Sequence, residues 1–404
     1  MKHITIINQY IGSPSHGMEY RHYYLAKNLM QLGYRVTLIS GSYSHLFSRL
    51  PDIKGDFTKE SIDGIEYIWV KVPHYHSSKS LGRIWNMFYF SWKLRFLKKL
   101  APSHIIVSSP SLFPVKIGKK LARKFGGKFL FEIRDIWPLT LVELSGLKES
   151  HPLIRIMAHY ERYGYQNADK VVSLLPNAKE HFIANGMDEK KFVYLPNGIE
   201  FSDTHVTLPK DIADQIPKDK FIIAYTGTIG IANNLDYLLD AAQSLLSYED
   251  IAFVILGNGG EKERLQERVL TQKLKNVIFI DAIDKVYMQS FLEKVDVAFI
   301  SLLPEKLFRF GVSPNKIFEY MYAKKPVIWA VEAGNDPVKE AGCGMSVGLG
   351  KVNQLKETIL KLKSLSKNEL RKLGNNGYNY VLQYHSYKML AEKLKKVIED
   401  DVDV

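Results

Sequence analysis

A single cysteine, Cys343, stands among 404 residues, which excludes an internal disulfide framework and any metal site built from several cysteines. No window supplies the roughly 18 consecutive apolar residues of a transmembrane helix. The opening MKHITIINQYIG lacks the apolar core of a signal peptide and reads as a first strand. The six-residue dinucleotide fingerprint and the Walker phosphate loop are both missing, which removes the usual signatures of hydride transfer and ATP hydrolysis. No paired-Asp motif stands out, so no metal is expected. Helix-turn-helix, zinc-finger and RNA-binding patterns are missing too, so no nucleic-acid partner is expected despite a formal net charge of +12.

That charge is unevenly spread. The first 200 residues hold 28 Lys and Arg against 16 Asp and Glu, and the remainder holds 27 of each, so the excess lies entirely in the first half. Between Tyr67 and Phe131 there are 13 basic residues and no acidic one. Inside that run, GRIWNMFYFSWKLRFLKKL at 82–100 interleaves aromatics with Arg83, Lys93, Arg95, Lys98 and Lys99. Such a helix suits an anionic membrane surface, with rings at headgroup depth and cations on lipid phosphates. The same pattern also fits a helix that covers a sheet and leaves its cations in water.

Apolar strand-like runs alternate with helical stretches from end to end. HITIINQ, YRVTLISG, IEYIWVKV, HIIVSSP, KFLFEIRD, KVVSLLP and FVYLPNG are the candidate strands of the first half, with helices at 19–32, 82–100, 114–125 and 153–168. The alternation pauses in the stretch 195–220, rich in Pro, Asp and Thr, and resumes with FIIAYTG, IAFVILGNG, NVIFID, DVAFISL, KPVIWA and GMSVGLG. The pattern predicts two doubly wound α/β domains with parallel sheets, over 1–200 and 201–375. A helical segment at 376–404 is expected to pack back on the first domain. Ligands of such sheets sit beyond the carboxyl ends of the strands, so the domains are expected to face one another across a cleft.

The polar motifs fall at those strand ends. QYIGSPSHGMEYRHYYLAKNL follows the first strand and offers Gly12 and Gly17 for a tight loop whose amides suit a phosphate, ahead of a helix opened by Glu19 to Arg21. In KFLFEIRDIWP, Glu132, Arg134 and Asp135 crowd a strand's carboxyl end, which marks a site or a salt-bridged rim. A site is favoured because that end faces the predicted cleft. TGTIG and LGNGGEKERL repeat the glycine loop in the second half. GVSPNKIFEYMYAKKPVIWA, residues 311–330, reads as a short helix capped by Ser313 and started by Pro314, running into a buried strand. Its N-terminus, carrying Lys316, suits an anion, with Glu319 one turn inside. His16, His22, His74 and His76 read as structural.

Taken together, GVSPNKIFEYMYAKKPVI, GTIG, LGNGGEKERL, RDIWP, LPNG and the opening NQY…HGMEYRHYYLAKNLMQLGYRVTLIS resemble the retaining, metal-independent glycosyltransferases of family four. The closest resemblance is to the branch that builds bacterial O-antigen, capsule and related surface polysaccharides. It implies the GT-B architecture of two Rossmann-like domains, a nucleotide-sugar donor in the C-terminal domain, an acceptor in the N-terminal one, and no other cofactor. Glu319 then anchors the donor ribose. Gly311, Val312 and Ser313, with the turn through Asn315, cradle the diphosphate and sugar, and Lys316 and Arg309 are the phosphate cations. Gly17 matches the glycine loop near the diphosphate, and Gly227, Thr228 and Gly230 match the first loop of the donor domain. Asn258 and Gly259 lie near the nucleoside, and Asp281 to Ile283 on the edge that reads the base.

Some positions depart from that family. Gly311 stands where members often carry the first Glu of a Glu-x7-Glu pair, and Thr228, Asn233 and Asn234 occupy a loop that often holds Arg and Lys. Arg134-Asp135 replaces His-Asp, so Asp135 is expected to contact acceptor or sugar hydroxyls, with Arg134 placing it. The implied reaction carries a sugar, an N-acetylated hexosamine or deoxyhexosamine, from UDP to a polyprenyl-diphosphate-linked glycan, with the enzyme peripheral on the cytoplasmic face of the plasma membrane. Two other readings stay open. One is an enzyme like the UDP-N-acetylglucosamine 2-epimerases, which share the architecture. The other is a catalytically silent scaffold, allowed by the missing Glu and basic residues.

Overall fold

The computed structural model describes residues 2–76, 81–97, 100, 102–201 and 206–399. The chain forms two α/β units, Met1–Glu200 with Tyr387–Val404, and Phe201–Ser386. In the first, β1 (His3–Ile7), β2 (Arg35–Gly41), β3 (Phe57–Ile62), β4 (Ile65–Val70), β5 (His104–Ser108), β6 (Lys128–Ile133), β7 (Lys170–Ser173) and β8 (Phe192–Tyr194) make one sheet. Its spatial order is β3-β4-β2-β1-β5-β6-β7-β8. In the second, β9 (Phe221–Thr226), β10 (Ile251–Leu256), β11 (Val277–Ile280), β12 (Val297–Ser301), β13 (Val327–Ala330) and β14 (Gly344–Ser346) run in the order β11-β10-β9-β12-β13-β14, every pair parallel. β1, β5, β10, β12 and β13 are buried at every residue, as strands covered by helices on both faces must be.

The first sheet departs from the expected all-parallel pattern at its edge. β3, which the apolar pattern does not mark, pairs antiparallel with β4 through a two-residue turn. Asp63 and Gly64 both take positive φ, 49° and 81°, the turn whose twist matches that of the flanking strands. Strand order reverses between β1 and β5 in the first sheet and between β9 and β12 in the second, so each sheet opens a crevice at the carboxyl ends of those strands.

The chain returns to the first unit later than residue 376. The helix Lys367–Tyr384 packs on the helix Asn315–Tyr322, so closely that a Cβ on Gly374 would lie 1.9 Å from the Lys324 carbonyl oxygen. Residues 376–386 therefore belong to the second unit. From Tyr387 the helix Tyr387–Glu399 lies on the helix Arg21–Gln31, with Tyr387 stacked on Tyr24 at 5.2 Å between ring centres. Leu390, Ala391, Leu394, Val397 and Ile398 complete the first core. Residues 400–404 of that expected segment lie outside the described residues.

The basic aromatic stretch is helical over Leu81–Lys93 and continues as a 3₁₀ turn, Leu94–Phe96; Lys98 and Lys99 lie outside the described residues. Met87, Phe90 and Leu94 are buried, whereas Trp85, Phe88, Trp92 and Phe96 are exposed. Lys93 is not a surface cation, because it is buried and pairs with Asp56 at 2.6 Å. Arg83 turns to the Tyr10 hydroxyl at 3.3 Å. Among the described residues the outer face of this element is thus aromatic, with Arg95 as an exposed cation. No helix among the described residues is long and apolar enough to cross a membrane.

Candidate functional site

Loops from neighbouring strands nest together at the carboxyl edge of the second sheet. Gly227 N–H donates to the Leu256 carbonyl at 2.9 Å, Ile229 N–H to that of Asn258 at 2.9 Å, and Gly257 N–H to that of Ile280 at 3.0 Å. A Cβ on Gly257 would stand 1.9 Å from the Gly227 oxygen, and one on Gly259 2.2 Å from the Ile229 oxygen, so glycine is what lets the loops approach. From the other side of the switch point, Ser301 Oγ donates to the Asn233 carbonyl at 2.6 Å.

The helix Asn315–Tyr322 docks on this edge through residues four apart, which share a face. Tyr320 Oη accepts from the Thr226 N–H at 2.9 Å. One turn earlier, Lys316 Nζ donates to Tyr225 Oη at 2.7 Å and to Asn233 Oδ1 at 3.0 Å. Lys316 thereby places an amine against Gly227, on the loop that lacks Arg and Lys of its own. Burial lowers that amine to about 8, with Glu319 opposing the shift. Glu319 projects elsewhere on the same helix and pairs with Lys285, just beyond the Asp281 to Ile283 segment, at 3.1 Å.

Other expected residues are placed less favourably. The turn at Gly311 and Val312 does not offer its amides, since Gly311 N–H donates to the Phe308 carbonyl at 2.9 Å and Val312 N–H to Asn335 Oδ1 at 2.8 Å. Asn335 returns a bond to the Val312 carbonyl at 3.0 Å, so it braces the turn from behind. The cap position falls on Pro314, one residue beyond Ser313, with no side-chain capping bond. The first helical turn, with exposed Asn315 and with Lys316, is what remains to meet an anion. Arg309 lies over the Phe310 ring at 4.3 Å. The Thr228 carbonyl accepts from Tyr225 Oη at 2.6 Å and from Asn233 Nδ2 at 3.0 Å, leaving its side chain exposed beside Gly230.

Four residues of this edge went unselected in the sequence. Lys262 donates to Asn258 Oδ1 at 2.8 Å and pairs with Asp281, joining the loops after β10 and β11. Its spacing of four from Asn258 at a helix start was an available signal. Tyr225 and Lys285 lie two residues from Gly227 and Ile283, but their pairing with Lys316 and Glu319, like that of Asn335 with Val312, joins positions far apart in sequence.

Gly17, Arg134 and Asp135 lie in the first unit. The loop holding Gly17 closes on itself: the amides of Gly12, Ser13, His16 and Gly17 all donate to carbonyls of Ser13, Gly17 or Glu19. They are not presented to a phosphate as the sequence suggested. Glu132 is buried within β6, with Arg21 Nη2 donating to one oxygen at 2.9 Å and His22 Nε2 2.8 Å from the other. Arg134 pairs with Glu19 at 2.9 Å, and its charge also opposes the upward shift that burial gives Asp135. Asp135 is exposed at the end of β6. Burial would raise the Glu19 and Glu132 carboxyls, but Arg134 and His22 hold Glu19 at about 2, and Arg21 and His22 hold Glu132 well below the ordinary carboxylate range. Burial likewise would lower His22, and Glu132 with Glu19 raise it instead. His16 packs on Trp69 at 5.0 Å.

Residues 16–198 match the family model "Glycosyl transferase 4-like domain" and residues 210–380 match "Glycosyl transferases group 1", together most of the chain. A putative colanic acid biosynthesis glycosyl transferase of Escherichia coli K12 is 27% identical over 190 residues, 45% of this chain and 46% of its own length. The chain thus spans about half of that curated relative. Among solved structures, sucrose-phosphate synthase of Thermosynechococcus elongatus superposes with a TM-score of 0.72 at 16% identity, over 99% of both chains. Anabaena HepE, solved with UDP and glucose, gives 0.67 at 13% identity over 99% of this chain and 100% of its own. At these identities the likeness establishes the fold, two parallel-sheet α/β domains of GT-B type.

The buried network makes the first unit acid-sensitive. Glu19 and Glu132 have folded pKa values below their unfolded ones, so their stabilisation is complete above about pH 4.3 and is lost as the pH falls toward their folded values, about 2 for Glu19. His22, raised, contributes fully below about pH 6.5 and loses its contribution as the pH rises through its folded value. Glu132→Ala strands the Arg21 guanidinium and is expected to destabilise this unit by about 3–5 kcal/mol. Urea unfolding between pH 2 and 5 should show a shallower acid limb in the variant; an unchanged limb would assign the acid sensitivity elsewhere.

Proposed function

Because this chain belongs to the GT-B glycosyltransferases, we propose that it moves a sugar from a nucleoside diphosphate to a hydroxyl of a lipid-linked glycan in the synthesis of a bacterial surface polysaccharide of the O-antigen or capsule kind. The observation that carries this is Lys316, whose amine sits against the Gly227 loop at the switch point, three residues before Glu319 on the same helix. A carboxylate accepts well from the two hydroxyls of a ribose, and an ammonium beside a helix N-terminus offsets charge gathering on a departing diphosphate. Glu319 would exchange its exposed partner Lys285 for the ribose. The UDP complex of HepE supports UDP as the nucleotide, and an N-acetylated hexosamine or deoxyhexosamine is the proposed sugar.

The acceptor oxygen attacks the anomeric carbon on the face from which the diphosphate leaves. The carbon–oxygen bond to phosphate breaks, the new glycosidic bond forms with configuration retained, and the leaving phosphate oxygen takes the acceptor's proton. No metal is assigned, Lys316 supplying the positive charge. This course is drawn by family analogy. Asp135, exposed at its surface and beside the Arg134 charge, is the residue proposed to meet acceptor or sugar hydroxyls. The exposed rings of Trp85, Phe88, Trp92 and Phe96 support a peripheral seat on the cytoplasmic leaflet, beside a polyprenyl-diphosphate-linked acceptor.

Incubation with UDP-N-acetylhexosamines and a polyprenyl-diphosphate-linked oligosaccharide should yield a glycan longer by one sugar, with the donor's anomeric configuration kept, as read by mass and NMR. An epimerised nucleotide sugar formed without acceptor would replace this reading by an epimerase, and neither product by a scaffold. Nucleotide affinity should fall as the pH rises through about 8, where the Lys316 amine loses its proton. Lys316→Met should bind about ten-fold more weakly at pH 7 and lack that step; a step of the same size in the variant would belong to another group.

A further inference from the structure

Immediately after the RDIWP segment, the first unit contains a cavity of about 800 Å³ that the proposed chemistry does not use. One wall is the start of the helix Leu139–Ser145, which meets the cavity through Leu139 and Val142. Leu139 and Val142 are only half-buried, so each keeps apolar surface open to the cavity. The facing wall is the helix Pro152–Asn167, which presents Arg155, His159 and Arg162 at spacings of four and three, hence along one face. Both arginines are exposed, and among the described residues neither has an ion-pair partner. His159 is met by Lys116 Nζ at 2.7 Å. The acid at the base, Glu161, is already engaged by Tyr165 Oη at 2.9 Å, with His181 3.8 Å away. Glu149 is the exposed acid of the rim.

An apolar wall opposite a stripe of guanidinium groups complements an amphiphile with a hydrocarbon chain and a phosphorylated head. A chain of ring contacts, passing through buried Phe113, links His159 on the cavity wall to the exposed aromatic face. Phe88 contacts Phe113 at 6.2 Å between ring centres, Phe113 contacts Tyr160 at 5.6 Å, and Tyr160 contacts His159 at 6.0 Å. Rings from Phe96 through Trp92, Tyr89 and Trp85 extend the same path.

We propose that this cavity seats the phosphorylated lipid end of the acceptor, an isoprenoid phosphate, with its chain against Leu139, Val142 and Ile156 and its phosphate at Arg155 and Arg162. The assignment rests on the reading of a lipid-linked acceptor and adds to it a defined place on the first unit. Pro138, at the edge of the cavity, is three residues beyond Asp135 along the chain.

The test uses farnesyl diphosphate as the probe, measured by equilibrium dialysis with UDP saturating so that the donor site is closed to it. The intact protein should bind the probe. Val142→Asp with Ile156→Asp, and separately Arg155→Glu with Arg162→Glu, should each weaken it at least ten-fold, with UDP affinity unchanged as the check on folding. None of these four positions is buried, so the variants should fold. Inorganic diphosphate competing as well as farnesyl diphosphate would overturn the proposal in favour of a plain anion site. Loss of vesicle binding alone, with probe binding intact, would overturn it in favour of a bilayer contact. If these variants transferred sugar to a lipid-linked acceptor with unchanged KM, the cavity assignment would fall while the transferase reading stood. A protein that glycosylates only water-soluble acceptors would instead remove the lipid-linked reading itself.

Discussion

Everything at the two candidate sites depends on one topological constraint, that neighbouring parallel strands send their chains to opposite faces of the sheet. The reversal falls between β1 and β5 in one unit and between β9 and β12 in the other. At such a point the connecting helices diverge, and backbone at the strand ends is left in a crevice that cannot be filled by the helices themselves. In the second unit glycines fill it by close backbone nesting, and Lys316 is brought in from the helix before β13 to supply the charge that the β9 loop lacks. In the first unit the corresponding edge is filled by ions.

The ions of the two units are differently placed, and this decides what each can do. Glu132, Arg21 and His22 are almost wholly buried, so each compensates a desolvation cost of several kcal/mol only because the others are present. Arg21 also donates to the Leu195 carbonyl at 3.0 Å, so the network ties β6, the first helix and the end of the first unit's sheet together. That is a structural role, with Arg134 paired with Glu19 at its margin. Lys285–Glu319, by contrast, is a partly exposed pair worth about 0–1 kcal/mol. It can be exchanged for a ligand at little cost. Lys316 stands between these cases, fixed by Tyr225 and Asn233 but with its amine near the pH at which it can lose a proton.

How much could be read from the sequence follows from how local each feature is. The alternation of strand and helix is local, and so the two sheets, parallel except at β3, are foreseen from apolar periodicity alone. Lys316 and Glu319 are likewise visible, because Pro314 and the apolar face of IFEYMY mark the helix that carries them. β3 does not stand out in the apolar pattern, although Asp63-Gly64 signals its turn, because FTKESI alternates weakly and is polar. Long-range partnerships were hidden. Nothing in GVSPNK says that Asn335 takes the Val312 amide, and nothing in RDIWP says that Arg134 will turn to Glu19, 115 positions away. Helix periodicity offers Lys93 as a cation facing lipid or water, and it cannot show that Asp56 waits beside it.

The most direct measurement of the central claim is calorimetric titration of UDP, GDP, ADP and dTDP, without added metal, into the intact protein and into Glu319→Ala. The account predicts that one nucleotide, UDP, binds and that the substitution abolishes its binding while the unfolding transition stays in place. Absence of binding by all four at millimolar concentration, or UDP bound equally by Glu319→Ala, would contradict a donor site built around Lys316 and Glu319.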